Sequence, residues 1–424
     1  MLAFEVMHFF LLLVAITTLA FAQTPEANVK GILDHPKFKS ASSFLDADYD
    51  RFVRELIEIT EIPAPPFKEK VRAAAYLDKL RQLGLQDVEM DAEGNVMGLR
   101  KGNGGGPLLA VLAHLDTVFP EGTDVKVKRK GTRLEAPGVG DDSRGLALML
   151  EVIRTLDAAK FETRSDILFV GNVGEEGEGD LRGVKYLLTK GKYQDRVKQF
   201  ISIDGGEPGP ITNGGTGSKR FRVVFTGPGG HSYGAFGLVN PAYAMGNAIN
   251  RFSKLTVPSQ PKTTFNVGVV NGGTSVNSIP FEVSMDVDMR SESKEELSNL
   301  VDSFHGLLFA AVEEENQARS TTQGKIKVEA KLIGDRPAGE TSRDSVMVKT
   351  VVAVVQSFGL KPSYNISSTD SNIPISMGIP AVTIGRGKGG RAHSLDEWVD
   401  VDKPSQILAA HVALVTFLAL AGVN

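Results

Sequence analysis

The chain contains no cysteine, and this absence limits the chemistry that its 424 residues can carry. Without thiols it forms no disulfide bonds and no zinc site built on thiolates. Any metal ion would have to be held by histidine, aspartate and glutamate side chains. With 42% hydrophobic and 23% charged residues, the composition is that of a globular protein long enough for two domains.

Long basic runs and extended low-complexity tracts are also lacking. The formal net charge is -4, which together with the missing basic runs argues against a nucleic-acid partner. Long apolar stretches are few, and one of them lies at the C-terminus, from Ile407 to Val423. Because it is rich in alanine and contains His411, we interpret it as a final helix packed in the core rather than a membrane span.

The other apolar stretch, Phe9 to Ala22, is typical of a secretory leader. Ala20-Phe21-Ala22 precedes Gln23 and fits a small-x-small cleavage site. The region before it is unusual because it carries Glu5 and no lysine or arginine, which leaves an uncleaved anchor as the alternative. We predict a signal peptide over residues 1–22, an exported protein (periplasmic or secreted), and no stable membrane insertion after cleavage.

The remaining pattern predicts two α/β units. After a polar linker over 23–45, Asp48 to Thr60 and Lys68 to Leu83 have helical patterns, and apolar strands then alternate with helices as far as about Gly215. This alternation predicts a mostly parallel sheet in an α/β/α catalytic domain, formed by residues 46–216 and 335–424.

Between residues 217 and 334 the order of elements changes to β-α-β-β-α-β, which predicts an inserted ferredoxin-like lid or dimerisation domain. The predicted elements, in order, are Arg220 to Thr226, Pro241 to Leu255, Thr263 to Val270, Phe281 to Arg290, Lys294 to Gln317 and Lys325 to Ile333.

Acidic residues and histidines follow four of the predicted strands. They are His114 and Asp116, Glu175 and Glu176, Asp204, and His393 in a glycine-rich loop. In parallel sheets, functional sites form outside the carboxyl ends of the strands. Histidines and carboxylates can hold two metal ions around a bridging carboxylate, and one remaining glutamate can act as a general base.

Several of these residues also have a simpler interpretation. Asp141-Asp142 lies between Gly140 and a predicted helix, where aspartate is a common N-cap. Glu175 and Glu176, with further acidic residues after them, could form a solvated loop. The coincidence of candidates at several strand ends favours a site.

The order His-x-Asp, Asp-Asp, Glu-Glu, Asp, His with an inserted lid resembles the dizinc metallopeptidase family of peptidase T, carboxypeptidase G, aminoacylase, acetylornithine deacetylase and succinyl-diaminopimelate desuccinylase. The resemblance runs from about Ile62 to Val401. The stretches most similar to peptidase T are Ala113 to Val118, Ile203 to Gly206 and Ser368 to Asn372.

This resemblance implies two Zn²⁺ ions, with Co²⁺ or Mn²⁺ as substitutes. Carried over by position, Asp141 would bridge the ions, Glu175 would be the general base and Asp116 would orient His114. The other ligands would be His114 with Asp204 at one ion, and Glu176 with His393 at the other. The resemblance also implies a cis peptide bond between Asp141 and Asp142. Asp142-Ser143-Arg144 departs from the family, which often has lysine after the acidic pair.

In the lid, His231 matches the family histidine that stabilises the oxyanion, often from a partner subunit, and Asn277 matches a substrate-contacting residue. Arg290 matches the arginine that receives the substrate carboxylate, a role that suits a guanidinium. An exposed loop histidine, a turn asparagine and a solvent-facing arginine are the simpler interpretations. We interpret His305 as structural and Asp370 as a hydrogen-bonding support of the metal loop.

The function that the resemblance implies is hydrolysis of the amide bonds of short peptides, by a homodimer assembled through the lid. Deacylation of N-acyl amino acids at the same site is the alternative, because a shared site does not fix the substrate. A related aminopeptidase group has a similar order of ligands but generally lacks the lid, so the predicted lid argues against that group. A non-catalytic, metal-containing binding protein is the alternative of another class.

Overall fold

The computed structural model describes residues 24–423, so the predicted signal peptide lies outside the described part of the chain. Within that part the helices are α1 Pro25–Asp34, α2 Pro36–Thr60, α3 Lys70–Gln82, α4 Ser143–Ala158, α5 Arg182–Thr189, α6 Pro241–Phe252, α7 Lys294–Ala318, α8 Val346–Ser357, α9 Asn372–Ser376 and α10 Lys403–Ala421. The strands are β1 Gln86–Met90, β2 Val96–Arg100, β3 Leu108–His114, β4 Lys128–Lys130, β5 Arg133–Glu135, β6 Ile167–Asn172, β7 Val197–Gly205, β8 Pro210–Gly215, β9 Gly217–Thr226, β10 Gly230–His231, β11 Thr263–Gly272, β12 Ser278–Ile279, β13 Glu282–Ser291, β14 Lys327–Arg336, β15 Gly339–Glu340, β16 Ser363–Ser367, β17 Ala381–Gly385, β18 Gly389–Gly390 and β19 Trp398–Asp400.

A nine-stranded sheet forms the centre of the larger unit, in the order β1-β2-β6-β3-β7-β17-β8-β15, with β16 also paired to β8. The four central strands β6, β3, β7 and β17 run parallel to one another. Strands β1, β2, β8 and β15 join the sheet through antiparallel pairings. The predicted mostly parallel α/β sheet is therefore confirmed.

Strand β3 shows why this sheet needs a layer of helices on each face. Every residue of β3 is buried. Leu109, Val111 and Ala113 pack in the hydrophobic core shared with α2, α4 and α10, whereas Leu108, Ala110 and Leu112 pack in a second core shared with α5. Alternate residues of a strand point to opposite faces, so both faces are covered.

The predicted polar linker over 23–45 is wrong for the residues that the structure describes, because residues 25–45 form α1 and the first half of α2. Pro25 and Pro36 occupy the first turns of the two helices, where proline is well tolerated since no backbone N–H is needed there. Val29 and Ile32 of α1 are buried, and both helices pack on the same core as the central sheet.

Residues 217–336 form a second unit with its own hydrophobic core. Its antiparallel sheet has the order β11-β13-β9-β14, and α6 and α7 pack against β9 and β13. The chain order β9-α6-β11-β13-α7-β14 is the predicted β-α-β-β-α-β arrangement, apart from the small ribbon β10–β12. We refer to this unit as the lid.

A second small antiparallel sheet, β18-β19-β5-β4, was missed in the sequence. It pairs Trp398 with Glu135 and Val399 with Leu134, and thereby brings the loop between β18 and β19 next to the segment that precedes Asp141. That loop carries His393.

Among the described residues, α10 is the one helix whose length and composition would suit a membrane span. In this structure it packs inside the larger unit, with Leu414, Phe417 and Leu418 fully buried in the main core. The C-terminal stretch thus forms the predicted core helix.

Candidate active site

Four neighbouring parallel strands bring the predicted site residues to one edge of the central sheet. His114 is the last residue of β3, and Asp204 lies at the end of β7. Glu175 and Glu176 follow β6, and His393 follows β17. Because β6, β3, β7 and β17 are consecutive in the sheet, their carboxyl ends meet at the same place.

The first group of possible ligands consists of His114, Asp141 and Asp204. The imidazole Nε2 of His114 lies 3.0 Å from Oδ1 of Asp141 and 3.9 Å from Oδ1 of Asp204. All three side chains are largely buried. Burial raises the pKa of Asp204 to about 6, because the charged carboxylate loses its solvation.

The second group consists of Asp141, Glu176 and His393. Nε2 of His393 lies 2.8 Å from Oε1 of Glu176 and 3.1 Å from Oδ2 of Asp141. Hydrogen bonds that the imidazole donates to the carboxylates of Asp141 and Glu176 raise the pKa of His393 to about 10. Asp141 therefore presents one carboxylate oxygen to each group, which is the arrangement of a bridging ligand.

These residues fit a pair of divalent cations. In the second group, one ligand atom from each of Asp141, Glu176 and His393 lies within 4.8 Å of the others. His114 gathers with Glu175 and Glu176, and also with Asp142 and Asp204, within the same distance. Imidazole and carboxylate ligands suit zinc, and a cluster of buried carboxylates is a favourable environment for a cation.

Asp116 lies behind the glutamate pair. Its Oδ1 accepts a hydrogen bond from the backbone N–H of Glu175 at 3.0 Å, and its Oδ2 accepts one from the backbone N–H of Glu176 at 2.8 Å. Nδ1 of His114 lies 3.0 Å from the backbone oxygen of Asp116 but 3.8 Å from its carboxylate. Asp116 thus orients His114 through its main chain and fixes the glutamates through its side chain.

Glu175, the predicted base, is fully buried beside Arg336. Nη1 of Arg336 lies 3.1 Å from Oε1 of Glu175, and Nη2 donates to the backbone oxygen of Glu175. Burial raises the pKa of Glu175 well above its usual range, and the Arg336 guanidinium opposes that rise. Arg336 was missed in the sequence, since it lies at the far end of the lid insertion.

The loop that carries Asp141 is held by two carboxylates. The Asp141-Asp142 peptide bond is cis, as predicted. Asp142 accepts a hydrogen bond from the N–H of Gly145 and so caps α4, and it also accepts one from the N–H of His114. Glu397 accepts hydrogen bonds from the N–H groups of Gly138, Gly140 and Asp141, at 2.9, 2.7 and 2.8 Å.

Glu397 was also missed, although its position four residues after His393 in the same loop was a usable signal. Arg144, which departs from the family pattern, donates to the backbone oxygen of Lys388 at 2.6 Å and to the side chain of Gln406 at 2.8 Å. It therefore holds the loop after β17. Asp370 accepts a hydrogen bond at 2.7 Å from Asn172, the last residue of β6.

Arg290 reaches from the lid into the cavity in front of the two groups. This cavity has a volume of about 420 Å³, and Asp141, Glu175 and His393 also line it. Arg290 lies on the polar face of β13, since Val283, Met285, Val287 and Met289 point into the lid core.

Asp288 joins Arg290 to a second arginine of the cavity. One carboxylate oxygen of Asp288 lies 2.7 Å from Nε of Arg290, and the other lies 3.2 Å from Nε of Arg220. Arg220 also donates to the backbone oxygen of Gly177, in the loop after Glu176. With Arg336, three guanidinium groups thus face the cavity from the lid, and the sequence indicated only Arg290.

His231 and Asn277 do not line this cavity. They lie together on the exposed ribbon β10–β12, where the N–H of Ser232 donates to the backbone oxygen of Asn277. Nδ1 of His231 accepts from the N–H groups of Tyr233 and Gly234, which leaves Nε2 as the N–H donor of the neutral ring. His305 packs edge-on against Phe221 in the lid, at 5.3 Å between ring centroids.

Comparison with known proteins identifies the family. The family model of peptidase family M20/M25/M40 matches residues 110–419. Carboxypeptidase G2 of Pseudomonas sp. (strain RS-16) is 25% identical over 238 residues, which are 55% of this chain and 54% of that protein. Succinyl-diaminopimelate desuccinylase of Corynebacterium glutamicum is 23% identical over 83% of this chain and 92% of that protein.

Solved structures share the fold over most of the chain. Aminopeptidase PepT from Bacillus cereus has a TM-score of 0.71, with 22% identity over 88% of this chain and 99% of that one. A tripeptidase from Staphylococcus aureus has a TM-score of 0.72, with 22% identity over 88% and 98%. The YXEP protein of Bacillus subtilis, a dinuclear metal-binding peptidase, has a TM-score of 0.65, with 16% identity over 89% and 99%.

The likeness to peptidase T is thus confirmed at the level of fold, and the predicted metallopeptidase or amidohydrolase activity is confirmed at the level of family. The chain belongs to peptidase family M20/M25/M40.

Proposed function

We propose that this enzyme is an exported peptidase that hydrolyses short peptides with two zinc ions. The observation that carries the proposal is the position of Asp141, whose Oδ1 faces His114 and whose Oδ2 faces His393. A carboxylate shared in this way would suit a pair of divalent ions. His114 and Asp204 would complete one site, and Glu176 and His393 the other.

The bound ions would polarise the scissile carbonyl and lower the pKa of the attacking water. Glu175 takes a proton from that water as it attacks, and passes the proton to the leaving amine. Arg336 holds Glu175 in place, and its charge favours the ionised carboxylate that a base needs. Arg290 and Arg220 face the same cavity and would bind a substrate carboxylate.

The matched pair of variants Glu175→Gln and Glu178→Gln tests the base. Glu175→Gln should retain both ions and lose turnover by about 10²- to 10⁴-fold, the usual contribution of a general base. Glu178 is exposed in the same loop, so Glu178→Gln should keep its activity. Near-normal turnover in Glu175→Gln, with metal content measured in parallel, would disprove the assignment.

The substrate is tested on zinc-loaded protein with di- and tripeptides, their C-terminal amides and N-acyl amino acids, with products identified by mass spectrometry. Preferred cleavage of tripeptides supports the proposal. A second candidate is deacylation of N-acyl amino acids, which is favoured by the extent of the match to succinyl-diaminopimelate desuccinylase. Preferred cleavage of the acylated amino acids would establish that alternative. Cobalt and manganese are tested in place of zinc.

We propose a homodimer through the lid. Tyr233 is 89% exposed and Phe236 is 91% exposed, and both lie beside His231. The neighbouring strand β11 forms the edge of the lid sheet and exposes Val269 and Val270. Burying this surface against a second copy would remove apolar area from water and carry His231 to another subunit's site. Light scattering of the wild type and of Phe236→Asp tests this: the variant should be monomeric.

Export is tested by expressing the full chain and sequencing the N-terminus of the product outside the cytoplasm. A mature chain beginning at Gln23 is expected. Retention of the protein in the cytoplasm, or of the leader in the membrane, would contradict the proposal.

A further inference from the structure

Arg386 is buried among the carboxylates of one metal group. It follows β17 directly and is 9% exposed. Its guanidinium makes a very short contact with Asp204, lies 3.2 Å from Oδ1 of Asp142, and lies 3.4 Å from Oδ1 of Asp141. A guanidinium remains protonated, so a fixed positive charge lies among these oxygens.

These contacts are unequal between the two metal groups. Asp204 belongs only to the group of His114, and the oxygen of Asp141 nearest to Arg386 is Oδ1, which faces His114. In the described part of the chain, the ion pairs of Arg386 include neither Glu176 nor His393. The guanidinium therefore lies among the oxygens of the His114 group and makes no ion pair with Glu176 of the other group.

The backbone around Arg386 is anchored on both sides. Its own N–H donates to the backbone oxygen of Gly205 at 3.2 Å, and the N–H of Gly387 donates to that of Gly206 at 3.0 Å. Gly387 packs so closely on Arg144 that a Cβ there would lie 2.3 Å from its Nη2. Because Arg386 lines the cavity, rotation of its side chain toward that space would take the guanidinium away from the carboxylates without moving the backbone.

We propose that Arg386 is a built-in competitor of the metal ion at the His114–Asp141–Asp204 site. The inference rests on the dinuclear site proposed above. A guanidinium and a divalent cation repel each other and need the same oxygens, so an ion enters this site only when Arg386 gives up its contacts. The ions bind in a fixed order: the Asp141–Glu176–His393 site fills first and tightly, and the other fills second and more weakly.

The test is a zinc titration of metal-depleted protein by calorimetry, with the number of bound ions measured by equilibrium dialysis. The wild type should show two binding events that differ at least about tenfold in Kd. In Arg386→Gln the second event should tighten by about tenfold or more, while the first changes little, because a neutral amide competes weakly for carboxylates. Zinc should also raise the Tm of this variant by more than it raises the Tm of the wild type.

Arg391→Gln is the matched control, because Arg391 is an exposed arginine of the same loop, paired with Asp396 at 2.7 Å. It should leave both events unchanged. If Arg386→Gln fails to fold, Arg386→Lys carries the test, since a lysine keeps the charge without the bidentate fork and should tighten the second event to a smaller degree.

Two outcomes overturn this inference alone: two equal events in the wild type, or a second event that no Arg386 variant changes. In both, two ions still bind and the dinuclear function stands. Binding of one ion at most in the wild type and in every Arg386 variant overturns the dinuclear proposal together with this inference.

Discussion

Arg336 contacts Glu175 twice, once at the carboxylate and once at the backbone oxygen. Arg336 is the last residue of the lid strand β14, whereas Glu175 follows a strand of the central sheet. The residue that holds the proposed base thus stands where the lid joins the catalytic unit, so this side chain connects the position of the lid to the chemistry.

Replacement of Arg336 by glutamine should lower activity at neutral pH and shift its pH dependence. Arg336 lowers the pKa of the buried Glu175, so its removal raises that pKa, and the base must be ionised to act. The acidic limb of the kcat/KM profile should therefore move to higher pH, with a loss on the order of 10- to 100-fold at neutral pH. Arg343→Gln is the control, since Arg343 is exposed and paired only loosely with Glu340. An unshifted limb would refute this role.

Glu397→Gln should weaken metal binding without unfolding the protein. Its carboxylate accepts three backbone hydrogen bonds from the segment that ends at Asp141, and a neutral amide oxygen accepts them less strongly. Loss of such support costs about 10- to 100-fold in metal affinity. Competition with a chromogenic chelator measures this metal affinity. Asp396→Asn, one residue earlier and exposed, should bind metal normally; equal affinity in the two variants would contradict the prediction.

Much of the fold could be predicted from sequence because its strands are buried on both faces. The strand that ends at His114 and the strand that precedes Glu175 are almost entirely apolar, a pattern that is typical of covered parallel strands. The small sheet β18-β19-β5-β4 could not be predicted, since strands of two or three residues have no readable periodicity and β5 pairs with a strand more than 250 positions away. Helix α1 and the first half of α2 were missed because their polar residues were interpreted as a linker, whereas the second half of α2 was predicted.

The candidate metal ligands could be identified since four of them lie at or after strand ends and Asp141 lies in an acidic pair just before a helix. The side chains that support them could not, because their partners are distant in sequence. Arg336 and Glu175 are 161 positions apart, and Arg386 and Asp204 are 182 apart. A lone arginine after a strand carries no signal of what it will contact, whereas a histidine and an aspartate two apart do.

Glu151→Gln should change how stability depends on pH. Glu151 is fully buried on α4, and burial raises its pKa from 4.5 to about 8. Between these values the folded protein holds a proton that the unfolded chain releases, so the wild type loses stability as the pH rises through this window, by about 1.4 kcal/mol per pH unit at most. The amide that replaces the carboxyl group has no such proton to lose, and it keeps an oxygen that can accept from the side chain of Gln406. Urea unfolding at pH 5 and pH 8 should show the variant gaining relative stability at pH 8. If the difference in unfolding free energy between the wild type and the variant is the same at both pH values, the prediction is wrong.

Asp288→Ala should raise KM for peptides while kcat changes little. Asp288 orients Arg220 and Arg290, and without it both guanidinium groups lose the contact that aims them into the cavity. The substrate carboxylate is then bound more weakly in the ground state and in the transition state alike. Such a uniform loss of binding should raise KM by about tenfold. Asp286→Ala is a matched control, because Asp286 lies on the same face of β13 and pairs with Arg222, which does not line the cavity.

Kinetics with a peptide whose C-terminus is an amide distinguish a loss of arginine orientation from general damage to the lid. If the two arginines bind the carboxylate, the amide should be a poor substrate of the wild type. Asp288→Ala should then hardly raise the KM for the amide any further. An equal rise in KM for peptide and amide, or an equal rise in Asp286→Ala, would show that Asp288 supports the lid as a whole. If Asp288→Ala raises KM for the peptide but hardly for the amide, the two changes are not additive. This result would assign binding of the substrate carboxylate to Arg220 and Arg290, because two changes that remove the same interaction give coupled effects.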